Sequence, residues 1–207
     1  MTSSLLVATT NRGKLEEYRR MLAGLPFTLL DLSDVGITTA IPETGTTYAE
    51  NARLKAEGYA RLSHLLTLAD DSGLEVAALH GEPGVYSARY GGEATDQGRT
   101  HLLLERLKGV PFHERLARFV CVIAIADPSG RVETVEGTAG GVIEFEPRGT
   151  GGFGYDPVFF LLDRGITMAE LDSDEKNRIS HRAEALRKAR PLLERWFDRP
   201  TDGAHNG

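Results

Sequence analysis

The chain has 207 residues, and its 24 lysines and arginines stand against 30 aspartates and glutamates, which gives a formal net charge of −6. This length suits one large domain or two closely packed lobes, and 41% hydrophobic with 26% charged residues excludes a wholly disordered chain. The acidic balance argues against a protein that coats nucleic acid, because such proteins carry a basic surface.

The first half of the chain alternates between short apolar runs, which predict buried strands, and apolar residues at helical spacing. Thr47 and Glu50 match a capping box, which marks the start of the second helix. The second strand is expected to run into the polar sequence Asp70-Asp71-Ser72-Gly73 and to end there. The expected elements are a strand at 5–8, a helix at 15–22, a helix at 48–62 and a strand at 65–69.

The second half predicts further helices, a pair of strands and glycine-rich loops. Asp127-Pro128-Ser129-Gly130 joins two apolar runs and is a typical turn sequence. Pro191 lies within the last helical pattern and is expected to kink that helix or restart it. Because strands and helices alternate, the fold class is α/β. The expected elements are a helix at 96–107, strands at 117–126, 131–136 and 158–160, a short helix capped by Thr167 and Glu170, and a helix at 185–196.

Neither a disulfide nor a membrane segment is predicted. The single cysteine, Cys121, lies in an apolar run, which predicts a buried and inert thiol. No apolar run approaches the roughly 18 residues of a membrane span, and the N-terminus lacks the features of a signal peptide. We expect a soluble cytoplasmic protein with one α/β domain at residues 1–198 and a disordered tail at 199–207.

Two nucleotide-binding motifs are excluded. Residues 149–154 match G-x-G-x-x-G, but an apolar strand follows them where the dinucleotide-binding motif requires a helix. No Walker A sequence occurs in the chain. The six histidines show no metal-ligand spacing, and most are expected at the surface.

Thr9-Thr10-Asn11-Arg12-Gly13-Lys14 lies between the first strand and the first helix. Hydroxyls, an amide, free backbone N–H groups and an ammonium meet where a helix begins, and this combination favours an anion site. The alternative is that Asn11 only caps the helix while Lys14 is solvated. The residues alone leave both interpretations open.

Adjacent acidic residues follow the second predicted strand, at the place where open α/β sheets bind ligands. Burying Asp70 beside Asp71 costs free energy unless a cation or hydrogen-bond donors compensate, and oxygen ligands suit Mg²⁺. Glu43 and Glu50 are the other acids that could converge there. The alternative is a turn in which one aspartate serves as a cap.

Two later segments are ambiguous. Gly152-Phe153-Gly154-Tyr155-Asp156-Pro157 can stack on a planar ring and accept hydrogen bonds from ring N–H groups, but it also fits a tight turn with both aromatic residues in the core. The charged run at 174–182 fits a ligand site or a solvated helix face.

Six segments, in this order, together carry a resemblance that covers nearly the whole chain. They are Thr9-Thr10-Asn11-x-x-Lys14, Glu43-Thr44-Gly45-x-Thr47-x-x-Glu50-Asn51-Ala52, Ala69-Asp70-Asp71-Ser72-Gly73-Leu74-Glu75-Val76, Pro83-Gly84-Val85-Tyr86-Ser87-Ala88-Arg89-Tyr90, Phe153-Gly154-Tyr155-Asp156-Pro157 and Glu175-Lys176-Asn177-x-x-Ser180-His181-Arg182. The chain resembles the Ham1-like family of inosine/xanthosine triphosphate pyrophosphatases, which hydrolyse non-standard purine nucleoside triphosphates. Thr10 and Ala183 depart from the family pattern, since many members have glycine at both positions.

The resemblance implies an elongated α/β fold, in which a mixed sheet lies between two lobes with the active site in the cleft, and a homodimer. It implies Mg²⁺-dependent cleavage between the α- and β-phosphates. Glu43 and Asp71 should serve the metal, Asp71 should also act as base, and Ser72 should touch substrate. The residues expected at the phosphates are Thr9, Thr10, Asn11, Arg12, Gly13 and Lys14, and those expected at the purine are Phe153, Gly154, Tyr155, Asp156, Lys176, His181 and Arg182.

The chemistry of these residues agrees with the resemblance. A triphosphate carries about four negative charges, which repel attacking water until a metal and cations neutralise them. Lys176, His181 and Arg182 as cationic donors suit the 6-oxygen of hypoxanthine and xanthine. Two alternatives are a non-catalytic nucleotide-binding protein of the same fold and a pyrophosphatase for other modified nucleotides. The first could lack the paired aspartates, which this chain has.

Overall fold

Seven strands form one mixed sheet in the computed structural model, which describes residues 3–197. The strands are β1 (Ser3–Val7), β2 (Phe27–Asp31), β3 (Leu66–Val76), β4 (Leu116–Ala126), β5 (Val132–Ile143), β6 (Phe159–Leu161) and β7 (Ile166–Thr167). Their order is β2-β1-β3-β4-β5-β6-β7, with β1 parallel to β2 and β3 and the other neighbours antiparallel. The helices are α1 (Arg12–Met21), α2 (Tyr48–Ser63), α3 (Asp96–Arg106), α4 (Ser173–Ile179) and α5 (His181–Phe197). The predicted α/β class is confirmed.

Helices cover both faces of the central strands. Leu5 and Val7 pack with α1 and α5, whereas Leu6 packs with α2, because successive side chains of a strand point to opposite faces. Cys121 is buried on the α1 and α5 side, as predicted, and burial raises the pKa of its thiol to about 12. No helix within residues 3–197 is long and apolar enough to cross a membrane.

The expectation that the second buried strand ends at Asp70-Asp71-Ser72-Gly73 is wrong. β3 continues through both aspartates to Val76 and pairs with β4 along this length. Charged residues inside a central strand are rare because they are seldom buried without a partner. Here each carboxylate meets donors, so the strand can continue. β2 has no counterpart among the predicted elements, and β5 extends beyond its expected end at residue 136.

α5 continues through Pro191, so a restart of the helix at this proline is wrong. Proline removes one backbone hydrogen bond from a helix. Ala189 and Leu193, on either side of it, are fully buried against the sheet, and this packing keeps the helix together. The tail predicted at 199–207 lies outside the described residues.

Gly137 brings the first turn of α5 directly onto β5. A Cβ atom at this position would lie 2.4 Å from the carbonyl oxygen of His181 and 2.2 Å from the amide nitrogen of Ala185. A larger residue in β5 would therefore push α5 away from the sheet. The close approach fixes where His181 and Arg182, the first residues of α5, project.

Candidate active site

A cavity of about 530 Å³ opens between the N-terminus of α1, the middle of β3, α2 and the first turn of α5. We call the part around 9–14 and Asp71 the phosphate end, and the part around 153–156 and 176–182 the purine end, after their expected roles. The predicted site residues that line the cavity are Thr9, Thr10, Asn11, Lys14, Glu43, Asp71, Ser72, Phe153, Gly154, Tyr155, Asp156, Lys176, His181 and Arg182.

The phosphate end is built on the start of α1. Asn11 caps this helix, with its Oδ1 accepting a hydrogen bond of 3.0 Å from the amide of Lys14. Lys14 is not solvated, because its Nζ lies 2.9 Å from Asp70 Oδ2. Arg12 is exposed, and neither it nor Gly13 lines the cavity. A Cβ at Gly13 would lie 2.7 Å from the ring of Phe153, so this glycine allows the aromatic ring to approach α1.

The two aspartates of β3 lie on opposite faces of the sheet rather than side by side. Asp70 is buried behind Lys14 and Arg182, whose Nε lies 3.8 Å from its Oδ2. Burial alone would raise the pKa of Asp70, but the charges of Lys14 and Arg182 outweigh it and lower that pKa. Asp71 lines the cavity, and burial raises its pKa despite the nearby Lys55. The strand period of two separates the pair, which removes the repulsion expected from the sequence.

Lys55 on α2 connects the two predicted metal ligands. Its Nζ lies 2.5 Å from Glu43 Oε1 and 4.0 Å from Asp71 Oδ1. Asn51, one turn earlier, donates to Asp71 Oδ2 at 3.1 Å. Lys55 is not among the predicted site residues, although its i+4 spacing from Asn51 places both on one helix face. Glu50 does not join them, because its carboxylate completes the capping box at the start of α2.

Two carboxylates, rather than a closed cage, face this part of the cavity. Within residues 3–197 no group of three or more His, Cys, Asp or Glu side chains could hold a metal ion. Mg²⁺ commonly takes one or two protein carboxylates together with substrate phosphates and water. Glu43 and Asp71 therefore fit a metal that arrives with a phosphorylated ligand.

The purine end contains a buried network of charged groups. Lys176 Nζ lies 2.6 Å from Asp156 Oδ2 and 2.9 Å from Glu17 Oε1, and Arg182 forms an ion pair with Glu17. Burial alone would raise the pKa of Glu17, but the charges of Arg182 and Lys176 outweigh it and lower that pKa. Within the charged run at 174–182, Lys176 and Arg182 therefore belong to the site, whereas Asp174 and Arg178 form a solvated face. Glu17 is not among the predicted site residues, and its only signal in the sequence is its position one turn after Lys14.

His181 differs from its cationic neighbours. It is buried and stacks on Phe119, with ring centroids 4.7 Å apart. Burial, together with the charges of Arg182 and Lys176, holds the pKa of His181 well below its usual value. The imidazole is thus neutral near pH 7, and the expectation of a third cationic donor is wrong. Its buried Nδ1 makes no hydrogen bond within the described residues.

The loop at 152–156 combines both interpretations of its sequence. Tyr155 is buried and donates to the carbonyl of Ser87 at 2.9 Å, as in a tight turn packed on the core. Phe153 instead lies in the cavity, with its ring centroid 4.6 Å from Lys176 Nζ and 5.6 Å from the guanidinium carbon of Arg182. Ser72 Oγ accepts from Arg182 at 3.3 Å, which links β3 to this end.

Comparison with known proteins identifies the family. Residues 5–192 match the sequence profile of the Ham1 family. The chain belongs to the Ham1 family. It is 53% identical to the dITP/XTP pyrophosphatase of Geobacter sulfurreducens, over 88% of this chain and 92% of that protein. It is 52% identical to a dITP/XTP pyrophosphatase of Thermus thermophilus, over 95% of this chain and 93% of that protein. The solved HAM1 protein from Coxiella burnetii matches with a TM-score of 0.85 at 40% identity, covering 93% of this chain and 99% of that one.

The departures of this chain from the Ham1 pattern cause no backbone strain. Among residues 3–197, positive φ angles outside glycine occur only at His64 and His80, so that Thr10 has an ordinary backbone. Ala183 is buried, and its amide donates to Ser180 Oγ at 3.2 Å. Both positions therefore keep the shape of the site without the freedom of glycine.

Proposed function

We propose that this Ham1 protein is a nucleoside-triphosphate pyrophosphatase that hydrolyses ITP, dITP and XTP to the monophosphate and pyrophosphate. One observation carries the proposal: a single cavity has a helix N-terminus with lysines at one end and an aromatic ring with a fixed guanidinium at the other. This arrangement matches a ligand with a polyanion and a planar base. The dITP/XTP pyrophosphatase relatives, about half identical over most of the chain, support the same reaction.

At the phosphate end, the N–H groups at the start of α1 and the ammonium groups of Lys14 and Lys55 would bind the phosphate oxygens. Glu43 and Asp71 would hold Mg²⁺, which when bound neutralises phosphate charge and polarises water. Asp71, with its raised pKa, is suited to orient the attacking water and to accept its proton. Lys55 keeps Glu43 and Asp71 pointed into the same space before substrate arrives.

At the purine end, the fixed cations discriminate between bases. Hypoxanthine and xanthine present an oxygen at position 6, whereas adenine presents an amino donor there. Donors from Lys176 and Arg182 satisfy the oxygen and leave an amino group facing a donor, and sites of this kind discriminate by ~10⁴–10⁵. The neutral His181 also lines this part of the cavity, although its Nδ1 atom is itself buried.

Three wider properties complete the proposal. The chain is a cytoplasmic enzyme, its catalytic unit is the single domain at residues 1–198, and it works as a homodimer that needs neither nucleic acid nor a membrane. The family resemblance supports the homodimer, and the acidic net charge supports a protein that does not coat nucleic acid. Light scattering on the purified protein tests the dimer, because a monomer mass at micromolar concentration would refute it.

The decisive experiment measures pyrophosphate release from ITP, XTP, GTP and ATP in the presence of Mg²⁺. We expect kcat/KM for ITP and XTP well above the values for ATP and GTP; guanine shares the 6-oxygen, so the margin over GTP depends on its 2-amino group, whereas Arg182→Ala should narrow the margin over ATP. Equal rates with ATP and ITP would refute the purine assignment. Tight binding of ITP without pyrophosphate release would instead favour a non-catalytic nucleotide-binding protein.

A further inference from the structure

The first two turns of α3 form two hydrogen bonds with the loop that carries Phe153. The N–H group of Gly154 donates to Asp96 Oδ2 at 2.8 Å, and the carbonyl of Gly154 accepts from Thr100 Oγ1 at 3.4 Å. Both polar groups of one glycine thus bind the same helix. None of the six motifs that carry the family resemblance lies in this helix.

Asp96 is oriented before any ligand binds. Its Oδ1 accepts a hydrogen bond from Arg99, and Arg99 Nη1 donates to the carbonyl of Glu93 at 2.8 Å. Thr95, the N-cap of α3, accepts from the amide of Gly98 at 3.0 Å and fixes the start of the helix. Asp96 and Arg99 both line the cavity, although the carboxylate of Asp96 stays about half exposed.

The hydrogen bond between Asp96 and Gly154 restrains the backbone on the C-terminal side of Phe153. The peptide unit that precedes Phe153 is held by Asp156, whose Oδ2 accepts from the Phe153 amide at 2.8 Å. The peptide unit that follows it carries the Gly154 N–H and is held by Asp96. Because peptide units are planar, holding both of them restrains φ and ψ of Phe153 and hence the direction in which its Cα–Cβ bond projects, and the contacts of the ring with Lys176 and Arg182 set its final orientation.

We propose that Asp96 is a positioning residue for purine recognition, acting through the Gly154 amide on the ring of Phe153. The inference rests on the proposed function, since it deepens the account of the purine end. Asp96 does not itself need to touch the base. Loss of the contact lets the ring sample several directions, which weakens binding of the base. The phosphate end, built on α1 and α2, keeps its geometry.

The kinetic test compares Asp96→Ala with two matched variants. Asp96→Ala should lower kcat/KM for ITP about tenfold through KM, the effect of losing one hydrogen bond to a charged acceptor, with kcat within about twofold of the wild type. Inhibition by inorganic tripolyphosphate, a probe of the phosphate end, should stay unchanged. Asp96→Asn keeps an oxygen acceptor and should restore most of the KM. Thr95→Ala weakens the start of α3 without removing the acceptor and should raise the KM far less than Asp96→Ala does.

Amide hydrogen exchange gives a readout that does not depend on turnover. The Gly154 amide should exchange about tenfold faster in Asp96→Ala and not in Thr95→Ala. Unchanged exchange and KM in Asp96→Ala would overturn the inference, and so would an equal loss in Thr95→Ala, which would assign the effect to helix stability. If the wild type releases no pyrophosphate from any purine triphosphate, the proposed function fails, while the exchange comparison still decides whether Asp96 holds the loop.

Discussion

The cations at the two ends of the cavity differ in their exposure and in their carboxylate partners. At the phosphate end, the side chains of Lys14 and Lys55 are 14% and 13% exposed, and each bonds one carboxylate. At the purine end, Lys176 and Arg182 are 7% and 1% exposed, and Glu17 bonds both of them. Lysines that remain accessible can exchange a carboxylate for a phosphate when substrate binds. The buried network keeps its partners, so the purine end offers a fixed donor pattern suited to discrimination.

The largest effect should come from the acid at the phosphate end. Asp71→Asn keeps the shape of the side chain but removes the charge that serves the metal and the attacking water, so kcat should fall by ~10²–10⁴. The rate of pyrophosphate release from ITP at saturating Mg²⁺ measures this fall in kcat. Asp163→Asn, at an exposed position, is the matched control. Turnover of Asp71→Asn near the wild-type value would show that this carboxylate has no part in the chemistry.

A change in the buried network should act on stability as well as on binding. Arg182→Met removes a cation from between Glu17 and Asp70 and leaves both carboxylates short of a partner, which should cost about 3–5 kcal/mol in the free energy of unfolding. Urea denaturation measures this loss. Arg178→Met, at an exposed position of α4, should cost far less. Similar losses in the two variants would contradict a buried network.

Removing Lys14, an accessible cation of the phosphate end, should weaken the binding of a triphosphate much more than the binding of a monophosphate. Lys14→Ala should weaken a non-hydrolysable ITP analogue by about 10–100-fold, because a charged hydrogen bond to the β- and γ-phosphates is lost. IMP, which lacks these phosphates, should bind almost as before. Calorimetric titration of both ligands checks the difference, with Lys108→Ala as an exposed control. An equal loss for both ligands would mean that Lys14 serves the fold rather than the phosphates.

The smallest expected effect is the contribution of His181 to the pH dependence of the free energy of unfolding. Its pKa in the folded protein lies well below the usual 6.5, so below pH 6.5 the unfolded chain takes up a proton that the native protein does not. The free energy of unfolding should therefore be fully retained above pH 6.5 and should fall by up to about 1.4 kcal/mol per pH unit below it. Urea denaturation between pH 7.5 and 5.5 measures the slope.

Two variants isolate this contribution. His181→Gln cannot titrate and should lose most of the slope, whereas His113→Gln, at an exposed histidine, should retain it. If His181→Gln keeps the full wild-type slope, folding does not lower the pKa of His181, and its imidazole takes up a proton in the folded protein as readily as in the unfolded chain.

Short contiguous patterns correctly predicted the helix starts that border the site. Asn11 caps α1, and Thr47 with Glu50 forms the capping box of α2, because each interaction joins residues no more than four positions apart. The β3 sequence was harder to interpret. Its aspartates indicate a strand end locally, but donors from α1, α2 and α5 allow the strand to continue. No local rule contains those partners.

The sequence by itself determined the helix caps and the family, since caps join residues close in sequence and the six motifs are short and visibly ordered along the chain. Only the tertiary structure decided which charges meet. Glu17 forms an ion pair with Arg182, which lies 165 positions away in the sequence. Lys55, on α2, lies between Glu43 of a loop and Asp71 of β3. The neutrality of His181 has the same origin, because burial and neighbouring cations set a pKa and both depend on how distant segments pack.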